Sequence, residues 1–294
     1  MNSVPKVSVC VVTYNHEKYI RECLESIVNQ KCDFNFEVIV GEDCSTDNTR
    51  AIVQEYADKY PNIVKPLFHE KNVGASDNYF LVHNQAKGEY ICHMDGDDYA
   101  LPGKLQAQAN FMDKTPDCNI CFHRVKGLYI DGKIKNDLVD YTKIKDGFER
   151  KDLLMYMAVA TNSSKMYRNE VKYFEIPDFE VLDFYANIEQ IGNKKAYFID
   201  NNFYGVYRIG TGVSTNSRIR IKELIIKTLY RALKKYPNER VYINSQFLVL
   251  FLLDLKNKRN FKDYFYGYLK TFSIKGFLLT VKTWKIRKIL KVNN

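Results

Sequence analysis

Along the first half of the chain, short uninterrupted apolar runs alternate with stretches whose apolar positions recur every three or four residues. Val7–Val12 is a continuous, β-branched run and predicts a buried strand. Behind it, Ile20, Cys23, Leu24, Ile27 and Val28 fall at i, i+3, i+4, i+7 and i+8, one face of an amphipathic helix. Phe36–Asp43 predicts a second strand and Ser45–Tyr60 a second helix, with Ser45 or Thr46 as its N-cap and acids in its first turn. Ile63–Glu70 reads as a third strand, Asp77–Ala86 as a helix ending at Gly88, and Glu89–Asp95 as a fourth strand. Pro102–Lys114 is a helix with Pro102 in its first turn. Cys118–Val125 is a further strand, and Leu128–Ile134 a hairpin about Asp131-Gly132.

Strict alternation of strand and helix predicts a mainly parallel sheet flanked by helices, in which ligands bind beyond the carboxyl ends of the strands. Three polar stretches fall at such ends: Thr13–Glu17, Gly41–Asp47 and Asp95–Asp98. After about Gly147 the pattern loosens. A helix near Asp183–Gly192, two strands (Lys195–Asp200 and Phe203–Ile209) and the loop Gly210–Ser217 complete a first unit of residues 1–217. Residues 218–294 read as helices.

Charge sharpens that division. Phe251–Asn294 carries 11 Lys and Arg against 2 Asp, which accounts for the whole net charge of +9; the rest of the chain is balanced at 33 of each sign. A basic tail points to phosphates, on lipid head groups or nucleic acid, and no nucleic-acid recognition motif accompanies it. Seven Cys, an odd number, lie between Cys10 and Cys121 inside apolar patterns. That suits a reduced, cytoplasmic protein with buried thiols, the Cys118–Cys121 pair included. Met1–Val12 lacks the charged start and long apolar core of a signal peptide. The longest uncharged apolar run, Phe247–Leu253, falls well short of the ~20 residues a membrane span needs.

Asp95, Asp97 and Asp98 crowd the end of the fourth strand. An EF-hand starting at Asp95 needs Gly and Glu where Ala100 and Gln106 stand, and a P-loop fails because Leu105 follows Lys104. The first strand leads into no GxGxxG. In extended chain, residues two apart face the same way, ~6.6 Å between Cα atoms, so Asp95 and Asp97 can share a cleft that Asp98 enters from the side. Spacing alone leaves a solvated turn and a Mg²⁺ or Mn²⁺ site both open; two further polar loops on the same edge favour the metal. The five His are not spaced as metal ligands and receive no role.

The chain resembles the family 2 glycosyltransferases, inverting nucleotide-sugar enzymes of the GT-A fold. The resemblance is carried by VSVCVVTYNHEKYIRECLESIVNQ, FEVIVGEDCSTDNT, NVGASDNY and KGEYICHMDGDDYALPGKL, with VLDFYANI and YRIGTGVS as weaker blocks, over Lys6–Ser217. It implies a GT-A domain with a helical, basic C-terminal extension. It also implies a metal-dependent transfer from a UDP-sugar to a glycan or lipid-linked glycan in cell-surface polysaccharide synthesis. Tyr14 would flank the base, Asp43 would bond the base edge, and Asn72 and Gly74 would wall the ribose. Asp95 and Asp97 would hold ribose and sugar, and Asp98 would ligate Mn²⁺ or Mg²⁺. Asp183 would be the general base; Leu182 stands where the family carries a preceding acid, and Glu180 and Asp178 are the alternatives. Tyr207–Ser217 would close over the donor. The helical, basic C-terminus, rich in Phe, Leu, Trp and Ile, is expected at the cytoplasmic face of a membrane.

Overall fold

The computed structural model describes residues 4–157, 159–210 and 218–290. A nine-stranded sheet runs in the order β3-β2-β1-β4-β8-β6-β9-β5, with β7 (Ile134–Asn136) paired to β6. Its first half is parallel: β1 (Val7–Thr13) lies between β2 (Phe36–Glu42) and β4 (Tyr90–Asp95), and β3 (Val64–Phe68) forms the edge. Helices α1 (Ile20–Val28), α2 (Thr49–Lys59) and α3 (Ala75–Gln85) connect these strands. β1 is buried almost throughout because helices cover both its faces, which is why its sequence runs apolar instead of alternating.

Beyond β4 the sheet becomes mixed. β8 (Met166–Arg168) is antiparallel to both β4 and β6 (Cys118–Tyr129). The two strands expected after residue 194 are one, β9 (Lys195–Ile209), parallel to β6. The intervening Asn201 and Asn202, which look like a turn in sequence, are absorbed by register shifts around Arg124. β5 (Tyr99–Ala100) pairs with the far end of β9. That pairing folds the acidic turn back over the sheet edge ahead of α4 (Lys104–Lys114). The second helix also differs from expectation: it starts at Thr49, with no acid in its first turn. Residues 44–48 are drawn instead into loop contacts, with the Glu42 carboxylate accepting from Ser45 N (2.6 Å) and Asp47 Oδ1 from Thr49 N (2.9 Å).

The basic extension packs on this sheet. α7 (Arg218–Lys235), α8 (Arg240–Lys256), α9 (Lys262–Thr271) and α10 (Ile274–Ile289) follow in order. Leu229, Ile243 and Phe247 join Ile120, Phe122, Phe148 and, from α5 (Arg150–Tyr156), Leu154 in one apolar cluster. The Arg287 guanidinium, on α10, reaches Met155 O at 2.5 Å and Gln246 Oε1 at 2.8 Å. The described parts of the sheet and of the basic extension therefore share a core. All seven cysteines are free thiols, and burial raises the Cys10, Cys23 and Cys121 thiols well above their ordinary range. Among the described residues no helix is long and apolar enough to cross a membrane.

Because Phe247 is fully buried in the shared cluster, Phe247→Ala should cost about 3–5 kcal/mol and lower the unfolding of the whole chain as one transition. Two separate transitions by calorimetry, with only one of them shifted, would contradict a shared core.

Candidate active site

Strand register builds the site. Thr13 pairs with Glu42 and Val12 with Asp95, so β1, β2 and β4 end level and release their loops side by side. The first two loops are laced together. Asn15 takes a left-handed conformation (φ 54°); its Oδ1 accepts from Thr46 N at 2.8 Å, and its N–H reaches Ser45 Oγ at 2.9 Å. His16 N donates to Thr49 Oγ1 (2.8 Å) and Glu17 N to Asp47 Oδ2 (3.1 Å). Tyr14 stays 39% exposed at the tip.

Asp43 is buried. Its carboxylate accepts from Val73 N (2.7 Å) and Gly74 N (3.0 Å), while Asn72 Nδ2 donates to its carbonyl (3.2 Å). Asp43, Asn72 and Gly74 thus form one bonded wall, and Asp43 N, donating to Thr13 O at 3.0 Å, joins it to the loop that begins at Tyr14. Gly74 has φ 90°, and a Cβ built there would meet nothing within 4 Å, so the wall is open on that side.

The acidic turn follows. Gly96 N donates to Val12 O (2.9 Å), and a Cβ at Gly96 would sit 2.7 Å from Thr13 Cβ; this close approach is why glycine separates the acids. Asp98 is enclosed at 1% exposure. Its Oδ1 accepts from Arg208 N (2.8 Å) and its Oδ2 from Ser163 Oγ (2.5 Å). Burial pushes its carboxyl well above the ordinary range, and Asp97 and Asp95 push it further. The Arg208 guanidinium bonds Asp97 O and Glu22 and sits between the Tyr19 and Tyr99 rings, 4.9 and 5.1 Å from their centroids. Asp95 behaves differently. Burial raises it, but His93 at 3.1 Å and Ser163 outweigh that and hold it below the usual carboxylate range. Its side chain keeps 33% exposure and opens into the cleft.

Both Asp98 oxygens already accept hydrogen bonds inside the fold, and among the described residues no three His, Cys, Asp or Glu side chains are placed to hold a metal ion. Those two bonds make the Asp98 carboxylate a staple that ties the acidic turn to β9 and to the short 3-10 turn Asn162–Ser164.

Asp183 begins α6 (Asp183–Gln190), and its Oδ1 accepts from Phe184 N at 2.8 Å. It opens to solvent but stands in a recess of protein. That desolvation raises its carboxyl, Lys165 opposes the rise, and Asp95 adds to it. Lys165 is fully buried, held by Asn187 Oδ1 (3.2 Å) and Gln190 Oε1 (3.4 Å) from the same helix. Burial brings its pKa down to about 8, with Asp183 and Asp95 pulling the other way. Asp183 therefore belongs to the same electrostatic set as Asp95. Glu180 is instead paired with Arg220 at 2.5 Å, and Asp178 is exposed. Of the expected closing segment Tyr207–Ser217, residues 211–217 lie outside the described residues. Tyr207 does face the acids, its hydroxyl pKa raised first by burial and then by Asp98, Asp95, Asp97 and Asp183.

Ser163, Lys165 and His93 are the site residues that sequence reasoning passes over. Ser163 and Lys165 come to the site through the antiparallel insertion of β8 and have no motif around them; His93 lies inside the KGEYICHMDGDDYALPGKL block, but its place in the interior of β4 hides its contact with Asp95 from the sequence.

The staple has a measurable consequence. Asp98→Asn preserves one acceptor and supplies a donor that Ser163 Oγ can accept, so its stability should stay close to that of the native chain. Asp98→Ala leaves Arg208 N and Ser163 Oγ buried without their acceptor and should cost about 3 kcal/mol by denaturant unfolding. Equal stability of the alanine variant would contradict the staple.

Comparison with known proteins fits this arrangement. The model of "Glycosyl transferase family 2" matches residues 8–172. An uncharacterised glycosyltransferase of Methanocaldococcus jannaschii is 30% identical over 282 residues, 87% of this chain and 95% of that protein. An uncharacterised protein of Mycobacterium tuberculosis is 34% identical over 188 residues, 62% of this chain; the chain spans about half of that relative's length (53%). Among solved structures, Staphylococcus aureus TarS 1-349 in complex with UDP-GlcNAc superposes with TM-score 0.71 at 21% identity, covering 97% of this chain and 88% of that one. At that identity the likeness shows the fold, and it bears out the GT-A-type α/β architecture. The chain belongs to glycosyl transferase family 2.

Proposed function

We propose that this protein transfers a sugar from a uridine diphosphate sugar to a hydroxyl of a glycan or lipid-linked glycan, with inversion, in cell-surface polysaccharide synthesis. The observation that carries the reading is the convergence, on one sheet edge, of the Tyr14–Asp43–Gly74 wall, the open Asp95 and the α6 acid Asp183. TarS, a poly(ribitol-phosphate) beta-N-acetylglucosaminyltransferase, is 40% identical to this chain over 112 residues (37% of this chain, 19% of that protein), and its UDP-GlcNAc complex supports the donor class.

In this reading Tyr14 flanks the base. Asp43 shapes the base pocket by fixing Val73 and Gly74, and Asn72 closes the ribose side. Asp95 and Asp97 accept from ribose and sugar hydroxyls. Asp183 takes the proton of the acceptor hydroxyl as its oxygen bonds the anomeric carbon. The bond from that carbon to the diphosphate oxygen breaks, and the nucleoside diphosphate leaves with the electron pair. A base must be ionised to act, and desolvation in its recess raises Asp183 above the usual carboxylate range, so kcat should rise with pH through that raised value.

The basic end has its own surface. More than half of the large hydrophobic side chains exposed among the described residues lie between Leu252 and Trp284, including Phe272, Ile274, Phe277, Leu278 and Val281, interspersed with Lys275, Lys282 and Lys285. A second copy docked here about a two-fold axis would set like charges against each other, whereas an anionic bilayer complements them. We propose that α9 and α10 rest on such a bilayer, at the cytoplasmic face.

Two outcomes are expected. With a panel of nucleotide sugars, Asp183→Asn should lower kcat about 10³-fold, leave donor KM within a few-fold, and abolish the acidic limb of the pH profile. Turnover within tenfold of native would shift the base to Glu180 or Asp178. In flotation assays the protein should bind phosphatidylglycerol vesicles and not phosphatidylcholine ones, and a Phe277→Ser, Leu278→Ser, Trp284→Ser triple variant should lose binding. A concentration-dependent dimer without vesicle binding would assign the face to a second copy.

A further inference from the structure

Behind Asp95 lies a row of buried groups that the proposed transfer does not use. His93, two residues earlier on β4, places Nε2 3.1 Å from Asp95 Oδ1. Its Nδ1 lies 2.9 Å from Nε2 of His83 on α3, and Nδ1 of His83 lies 2.6 Å from the hydroxyl of Tyr167 on β8. Both imidazoles are 1–2% exposed, and burial lowers both pKa values, so both rings are uncharged. The Tyr79 ring stacks on His83 at 3.8 Å between centroids and 25°, which blocks rotation of that imidazole.

The chemistry of the four groups allows one consistent arrangement of protons. An ionised carboxylate only accepts, so His93 Nε2 carries the proton and donates. A neutral His93 then leaves Nδ1 as an acceptor, which His83 Nε2–H fills. His83 in turn leaves Nδ1 bare, and Tyr167 O–H fills it. We infer that Tyr167, His83 and His93 form a one-way hydrogen-bonded chain that holds Asp95 as an oriented acceptor for donor hydroxyls. Three separate elements, α3, β4 and β8, are thereby read out at one carboxylate oxygen. On the other side Asp95 N donates to Ser163 Oγ at 3.0 Å, so Asp95 is braced from both sides while its open face meets the cleft. His83, His93 and Tyr167 act here as positioning residues. What Asp95 does with the donor rests on the proposed transferase reading; the chain itself does not.

The test separates the two. In protein labelled with ¹⁵N-histidine and free of any donor, the imidazole shifts of His83 and His93 should both report protonated Nε2 and bare Nδ1. Tyr167→Phe removes only the hydroxyl. It should shift the His83 Nδ1 resonance, raise donor KM about fivefold and change kcat less, the effect of losing one neutral hydrogen bond. His93→Gln can donate to Asp95 and accept from His83, and it should keep donor KM closer to native than His93→Leu. A protonated Nδ1 on either histidine, or a Tyr167→Phe variant with unchanged shifts and unchanged donor KM, would overturn the chain. Failure of every nucleotide sugar to turn over, with the expected shifts in place, would overturn the transferase reading and leave the chain standing.

Discussion

Backbone hydrogen bonds along β1 hold Thr13 opposite Glu42 on one side and Val12 opposite Asp95 on the other, and everything at the site hangs on that alignment. Parallel strands in this register end at the same height, so the loops bearing Tyr14, Asp43 and the acidic turn leave from one edge. A slip of one residue in β4 would turn Asp95 to the opposite face and bury its carboxylate among apolar side chains. The short contacts at Gly96 belong to the same constraint: the acidic turn can approach Thr13 because no Cβ intervenes.

The acids divide into kinds once the contacts are known. Asp98 and Asp43 face inward, their carboxylates bound to backbone N–H groups of β9 and of the 73–74 loop. Asp95 and Asp183 keep an opening to the cleft, and they titrate in opposite directions because His93 and Ser163 favour the ionised form of Asp95 while desolvation dominates at Asp183. A low carboxylate beside a raised one is a usual basis for dividing binding from proton transfer between two acids.

Much of this was legible in the sequence, and the limits are physical. The first four strands and three helices showed because each is local: a buried strand is apolar throughout and an amphipathic helix carries its own period. The shared edge of the three polar loops followed from the alternation of strand and helix. The start of α2 was misplaced because Ser45–Asn48 has capping chemistry that long-range bonds to residues 15–17 claim instead. The single β9 was read as two strands because its Asp200–Asn202 stretch has turn residues, and only pairing with β6 keeps it extended. That Asp98 is bonded inside the fold was hidden too, because spacing shows that acids are close but not which of them face inward. Lys165, Ser163 and the two histidines were invisible for a related reason: β8, three residues inserted antiparallel between β4 and β6, brings the first two to the cleft, and no local pattern announces it. The tail read correctly as helical and basic. That it shares a core with the sheet could be known only from packing.

The central claim is that three strand-end loops form one uridine nucleotide pocket. Hydrogen–deuterium exchange with and without UDP tests it directly. Protection on binding is expected in residues 13–17, 42–47, 72–75 and 95–98 together. Protection that appears in one of these segments without the others, or only outside them, would contradict a pocket built by the ends of β1, β2 and β4.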